Sequence, residues 1–270
     1  MVHAMLLAAL LVPAAAPTAS AGPTCSIDSA MIGELGPAAP EVSTEQLRKI
    51  LADGSATVFD SRPSLEFAMG HIPGARNVSQ KPGSSAAEYV SDAAEVARLT
   101  GGKKDGTIVL YCNGPFCGKS KRLAADLTAA GFTKVLRYQL GIPVWRALGG
   151  VTQVESDGAR RILEGDRTAV WLDARPAAEH ARGTVPGAKP VSLAITQGGK
   201  DNPAITAAKN DGTLPMNDHN TRVIVFGATP ADARKVAETL AHEAFHNVAF
   251  FAGSFDDLER VAKSPAPATR

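Results

Sequence analysis

The segment Leu110–Arg122, "LYCNGPFCGKSKR", brings two cysteines, a serine and three basic side chains to the point where an apolar strand pattern gives way to a helical one. Three chemistries compete for it. A phosphate-binding loop brackets four residues with two glycines ahead of Lys-Ser, so that backbone N–H groups wrap the phosphates. Counting back from Gly118-Lys119-Ser120, the first of those positions is Asn113, and Gly114 falls one residue late. A phosphatase or arsenate-reductase loop clamps its oxyanion with an arginine six residues after the cysteine; Gly118 stands there instead. A sulfur nucleophile asks for a thiolate and for a turn whose amides stabilise it. Cys112 closes the strand pattern, and the peptides of Asn113, Gly114, Phe116, Cys117 and Gly118 can curl beneath its sulfur, whereas Pro115 has no N–H to offer. A helix starting near Gly118 adds the positive end of its dipole, and Lys119, Lys121 and Arg122 add formal charge. Each unit of pKa depression corresponds to about 1.4 kcal/mol of preference for the thiolate. The expectation is a Cys112 sulfur that is negatively charged and open to solvent.

Two plainer readings stand beside it. Cys112 can be a small core hydrophobe, although its place after the strand rather than within it weighs against this. Cys117 can simply fill the loop, or it can act as a resolving thiol that closes a disulfide with Cys112 and makes the segment a redox relay. Spacing alone leaves open whether the two α-carbons come within bonding range.

The elements that must position this loop belong to an internal repeat. "VFDSRPSLEFAMGHIPGARNVS" (Val58 to Ser79) lies over "WLDARPAAEHARGTVPGAKPVS" (Trp171 to Ser192), with Asp60, Arg62, Glu66, Gly70 and Pro73 against Asp173, Arg175, Glu179, Gly183 and Pro186. Each copy continues with a β-rich run (Thr107 to Tyr111; Arg222 to Phe226), a turn, a helical segment and another β-rich run. In the first copy Leu123, Leu127 and Ala130 share a helical face that ends at Gly131, a natural C-cap. Strands alternating with helices imply an α/β fold with one small parallel sheet per copy, flanked by helices on both faces. The boundary is expected near Gly149-Gly150, and the Gly-, Asn- and Asp-rich stretch from Gly198 to Asn220 reads as a long surface loop.

With the repeat in place, the chain resembles the rhodanese-like sulfurtransferases in their tandem form. The carrying residues are "DSRP..EF..GHIPGA", Asp60 to Ala75, and Cys112 closing the next strand ahead of a helix-capping loop; the resemblance runs from about Val42 to Val261. It implies a double displacement in which Cys112 takes the outer sulfur of a small donor, thiosulfate or a related compound, holds it as a persulfide, and passes it to a thiol, a cyanide-like nucleophile or a protein acceptor. No metal or organic cofactor is required. Asn113, Gly114, Phe116, Cys117, Gly118 and Lys119 would form the loop around the substrate, with Arg62 beside it. Glu66 departs from the family's thiosulfate specialists, which carry an arginine there, and this counts against thiosulfate as the natural donor. Outside enzyme chemistry, the rival is a binding module in which the thiol is incidental.

The second copy serves as a control. Gly227 stands at the Cys112 position in a shorter turn, so that copy is read as inactive. Arg62 is matched by Arg175 in a copy with no thiol, and therefore reads at least as well as a structural ion pair with Asp60 or Glu66. His71 is replaced by Thr184 and reads as a hydrogen-bonding spacer. The site is expected to open toward the second copy, since ligands of parallel sheets collect at the carboxyl ends of the strands. His242-Glu243-Ala244-Phe245-His246 matches a zinc-protease pattern, but the repeat ends the helix before His246 and separates the two histidines.

A net charge of +1, with charges spread along 270 residues, gives nucleic acid no basic stripe to bind. The apolar run from Met5 to Ala16 followed by Ala19-Ser20-Ala21 reads as a signal peptide, cleaved after Ala21, and it is too short to span a bilayer. The expected organisation is a signal peptide (1–21), an N-terminal extension (22–40) carrying Cys25, a cysteine-bearing domain (41–150) and a second domain (151–264). The expected location is the periplasm or the medium, where thiols meet an oxidising environment.

Overall fold

Strands and helices alternate through both copies in the computed structural model, which describes residues 26–34, 39–79, 85, 87, 92–199 and 202–263. The expected signal peptide and Cys25 lie outside the described residues. The first copy runs α1 (Thr44–Asp53), β1 (Thr57–Asp60), α2 (Ser64–Ala68), β2 (Arg76–Asn77), α3 (Ala93–Leu99), β3 (Ile108–Tyr111), α4 (Gly118–Ala129), β4 (Val135–Tyr138) and α5 (Gly141–Ala147). The second runs β5 (Thr152–Val154), α6 (Ser156–Gly165), β6 (Val170–Asp173), α7 (Ala177–Arg182), β7 (Lys189–Pro190), α8 (Pro203–Asn210), β8 (Val223–Phe226), α9 (Pro230–His242), β9 (Val248–Phe251) and α10 (Phe255–Lys263). Every strand pairing is parallel, in the orders β2-β1-β3-β4 and β5-β9-β8-β6-β7.

Strands buried on both faces read as unbroken apolar runs. "IVLY" in β3 and "VIVF" in β8 are such runs and are buried throughout. Within them the period-2 alternation divides the core. Phe59 and Leu110 pack with Val96, Leu123 and Leu127 on one face of the first sheet, while Val58, Val109 and Tyr111 pack with Leu47, Ile72 and Trp145 on the other. The second sheet repeats the division, with Leu172 and Val225 against Val236 and Leu240, and Trp171 and Phe226 against Ile162 and Leu258. Helix ends follow local chemistry. Ser43 and Gln46 close a capping box on α1, and Thr229 caps α9 with Pro230 in its first turn.

One expectation is corrected. The stretch from Gly198 to Asn220 is not all loop, because it contains α8. Asn202 accepts a hydrogen bond from the Ala204 amide, Pro203 sits in the first turn, and Ile205 and Ala208, one turn apart, are buried together with Leu214 in the second core. Polar composition hid a short amphipathic face.

The copies meet where the segment around α2 of the first lies along β5, an edge strand of the second sheet, and against α6. His71 and Gln153 exchange two backbone hydrogen bonds (3.1 and 2.8 Å), and the Glu155 amide donates to the Ala68 carbonyl at 2.9 Å. Gly158 on α6 lies so close to α2 that a Cβ would sit 1.9 Å from the Ala68 carbonyl oxygen, so no side chain fits. Among the described residues no helix is long and apolar enough to cross a membrane.

The two copies end their central helices differently. Gly131 follows α4 with φ +89°, and Ala244, its counterpart after α9, is held at φ +66°, where a Cβ is disfavoured. Ala244→Gly should therefore stabilise the chain by about 1 kcal/mol, read as a higher denaturant midpoint; an unchanged or lower midpoint contradicts this account.

Candidate active site

β3 delivers Cys112 to the carboxyl edge of the first sheet, and a loop returns the chain to the start of α4. Five residues of extended chain would span roughly 17 Å, yet the α-carbons of Cys112 and Cys117 lie 6.3 Å apart. A tight turn accounts for the reversal: the Cys117 amide donates to the Gly114 carbonyl at 3.0 Å, with Gly114 at φ +107°. From beneath, the Ile142 amide donates to the Cys112 carbonyl at 3.1 Å. That approach requires Gly141, since at φ +66° its Cβ would lie 2.4–2.6 Å from Gly114 and the Cys112 carbonyl oxygen.

The two sulfurs are joined in a disulfide. Cys112 is 2% exposed, Cys117 is half-buried, and Phe116 stands fully exposed at 102%. The expectation of a solvent-open Cys112 sulfur is therefore corrected: in this state the solvent side of the pair belongs to Cys117. Cys112 nevertheless lies outside the apolar clusters on the two faces of the sheet. It is buried with the core residues at the end of β3, as the reading of Cys112 as a small hydrophobe expects. α4 begins at Gly118 with Cys117 as its N-cap, and no side chain accepts a hydrogen bond there, so the positive end of the helix faces the disulfide.

Side chains from distant elements fix this loop. Asn113 donates to Glu66 on α2 at 2.7 Å, and Gln139 donates to the Pro115 carbonyl at 2.8 Å. Gln139 in turn accepts from the buried Arg137, which also donates to Glu34 at 3.0 Å. Lys121, expected to lend its charge to the sulfur, is instead paired with Glu34. Arg122 is exposed and Lys119 half-buried on the first turn of α4.

Arg62, expected beside the substrate, is 4% exposed and turned into the fold. Its backbone and guanidinium donate to Asp60 (2.5–3.0 Å), and Nη2 also donates to the Gly70 carbonyl at 2.9 Å. Burial opposes the Arg62 charge, but the Asp60 carboxylate outweighs it and holds the guanidinium above its ordinary pKa. Arg175 makes the same contacts to Asp173 and the Gly183 carbonyl in the copy without a thiol. The pair therefore serves the fold. His71 does more than space the chain: Nδ1 bonds the Phe67 carbonyl at 2.9 Å, its ring stacks on Phe67, and Nε2 faces Glu155 of the second copy at 3.6 Å.

In the second copy only Gly227 to Thr229 separate β8 from α9, and Gly227 is already close to the Ala233 amide. The His242 and His246 pair is split as expected. α9 ends at His242, while His246 lies on the following turn with its amide bonded to the His219 carbonyl. Gly141 and Gln139 were missed by the sequence reading. The "QLGIP" stretch held a hint, a glycine between a strand and a Pro-containing helix.

Two predictions follow from these contacts. Glu66→Gln removes a negative charge next to the loop, so in the reduced protein the alkylation rate of Cys112 at neutral pH should rise about threefold or more; an unchanged rate would separate Glu66 from the thiol. His71 is held below its ordinary pKa of 6.5, first by burial and by the nearby Arg62 charge, against opposing pulls from the Phe67 carbonyl, Glu155 and Asp60. The unfolded chain then binds the proton more readily, so the His71 contribution to stability is full above pH 6.5 and is lost as pH falls below it. The gap in thermal midpoint between wild type and His71→Gln should narrow on acidification, and a gap that widens reverses the sign.

The chain was also compared with known proteins. Residues 43–148 and 157–260 each match the family model for the rhodanese-like domain. Over 111 residues, 40% of this chain, it is 34% identical to the thiosulfate:glutathione sulfurtransferase of Homo sapiens, spanning 93% of that protein. Over 116 residues, 43% of this chain, it is 32% identical to an HTH-type transcriptional regulator of Mycobacterium tuberculosis, of which it spans only 45%. Among solved structures, a 3-mercaptopyruvate sulfotransferase of Escherichia coli is similar over 80% of this chain and 98% of its own, at 18% identity and a TM-score of 0.33. With one family model matched twice across more than half of its residues, the chain belongs to the rhodanese-like domain family and carries two such domains.

Proposed function

We propose that the first domain is a sulfurtransferase whose Cys112, once reduced, carries a sulfane sulfur. The observation that supports this most is the position of Cys112, at the carboxyl end of β3, inside a doubled-back loop and at the amino end of α4. Helix-terminal amides favour an anionic sulfur there. In the first half-reaction the Cys112 thiolate attacks the outer sulfur of the donor; the donor's S–S bond breaks, and the electron pair leaves on sulfite or a thiolate. In the second, an acceptor thiolate or cyanide attacks that outer sulfur, and Cys112 leaves as the thiolate. The human relative is named for thiosulfate and glutathione. Glutathione-like thiols suit the acceptor role here, while the carboxylate of Glu66, bonded to Asn113 beside Cys112, disfavours a dianionic donor. Export, as the N-terminal sequence suggests, would make the disulfide the resting form. The second domain, with Gly227 in place of the thiol, supports the first without reacting.

The Cys112–Cys117 bond favours a second reading, a thiol–disulfide role. Attack of the Cys117 thiolate on the inner sulfur of a Cys112 persulfide forms the disulfide and expels hydrosulfide, so that a donor's sulfur leaves reduced and the protein is left oxidised. Intact-mass measurement of the reduced protein after treatment with a panel of sulfur donors distinguishes the readings. A stable gain of one sulfur atom at Cys112 supports transfer, a loss of two hydrogens supports the relay, and no change supports a binding module. Cys112→Ser should abolish transfer, whereas Cys117→Ser should spare the first half-reaction and let the persulfide accumulate. Turnover retained in Cys112→Ser removes Cys112 from the chemistry.

A further inference from the structure

Between the two domains lies a cavity of about 320 Å³ lined by Pro143, Arg146 and Ala147 of α5 and by Asn220, His246 and Asn247 of the second domain. No carboxylate lines it. Arg146, in the last turn of α5, reaches from the first domain to the contact with the second: its Nη2 lies 2.9 Å from where a Gly70 Cβ would be, next to Thr152 of β5. Its Nε is buried and has no hydrogen-bond partner, and among the described residues no carboxylate comes within ion-pair distance of it. Two further arginines crowd the same junction. Arg62 is neutralised by Asp60, while Arg222 keeps a loose pairing with Asp166 at 3.6 Å and a buried Nη1 without a hydrogen bond.

A half-buried guanidinium whose buried Nε has neither a hydrogen-bond partner nor a counter-charge is costly, and the compensation that matches its planar fork is an oxyanion or a carboxylate. We infer that this cavity is a binding site for a small oxyanion, held by Arg146 from the first domain and by the polar groups of Asn220, His246 and Asn247 from the second. The volume is at the small end of ligand cavities and suits sulfate, phosphate or a short dicarboxylate rather than a nucleotide or peptide. Burial first, then the like charges of Arg62 and Arg222, lowers the Arg146 pKa to about 10, so the group is still charged at neutral pH, and an anion would relieve all of these. Because the cavity draws on both domains, its ligand would fasten one to the other. That gives the thiol-free domain a task independent of Cys112.

Calorimetric titration of the full, disulfide-bonded chain with sulfate, phosphate and malonate, each against chloride at matched ionic strength, tests the site without calling on sulfur transfer. The expected result is saturable binding of one anion, weakened about tenfold or more by Arg146→Gln. Ala147→Glu, at an exposed helix position lining the cavity, supplies an internal carboxylate and should abolish binding while raising the thermal midpoint. The proposal is overturned if none of the anions binds saturably, or if binding survives both substitutions. Neither result depends on whether Cys112 takes up sulfur.

Discussion

The buried pair between Asp60 and Arg62 fixes where the carboxyl edge of the first sheet can place its chain. Asp60 ends β1 and accepts from the Arg62 amide and guanidinium; Arg62 then reaches the Gly70 carbonyl, so the α2 segment is folded back over the end of the strand. Two consequences follow from that one fold-back. Glu66 on α2 is brought to Asn113 of the cysteine loop, and the Gly70–His71 segment is brought to Gln153 and Glu155 of the second domain. Removing one partner of such a pair would leave a buried charge uncompensated, at a cost of about 3–5 kcal/mol. The second domain builds the same device from Asp173, Arg175 and Gly183, with Thr184 and His180 also on the carboxylate. Burial alone would raise the Asp173 pKa, but these donors outweigh it and hold it low. A device kept in a domain without a thiol answers to folding, and the cysteine loop of the first domain is built on top of it.

The cysteine loop adds a constraint of its own. Gly141 lets α5 start directly beneath Cys112 and Gly114, which draws the loop against Pro143, a residue that also lines the cavity between the domains. The loop is thus braced from below by backbone, from the side by Gln139 and Asn113, and across its mouth by the disulfide. With the mouth closed, Cys112 is covered and Cys117 is the sulfur that solutes can approach. Reduction removes the one brace that is chemically reversible. Any reaction that needs a Cys112 thiolate would first require this disulfide to be reduced.

What was legible in the sequence was local or repeated. The two copies, the parallel strands, the end of α4 shortly before Gly131 and the placement of Cys112 after β3 all rest on short-range patterns, namely periodicity, caps and a constant offset between copies. Arg62 was readable as a fold residue because Arg175 stands in a thiol-free copy. What stayed hidden depends on contacts distant in sequence. Glu34 neutralises Lys121, Gln139 holds Pro115, and Arg146 meets the second domain, and none of these leaves a trace in local spacing. The covered Cys112 belongs with them, since a five-residue separation permits either a closed pair or two independent thiols, and the choice is made by the path of the loop.

The way the domains stack bears on why only one of them carries a thiol. In parallel sheets ligands collect at the carboxyl edge, and Gly70 and His71, held to the carboxyl end of β1 by Arg62, lie against Thr152 and Gln153 of β5, an edge strand of the second sheet. The corresponding Gly183–Thr184 segment of the second domain is held by Arg175 and Asp173 and, among the described residues, makes no such bridge to the first domain. Cys112 has the start of α5 beneath it, and the same helix lines the cavity between the domains. The two copies of the repeat are thus unequal in their surroundings, since one makes this contact from the segment after α2 and the other receives it on β5. The short Gly227–Thr229 turn in the second copy and the extended, cysteine-closed turn in the first are the local expression of that inequality.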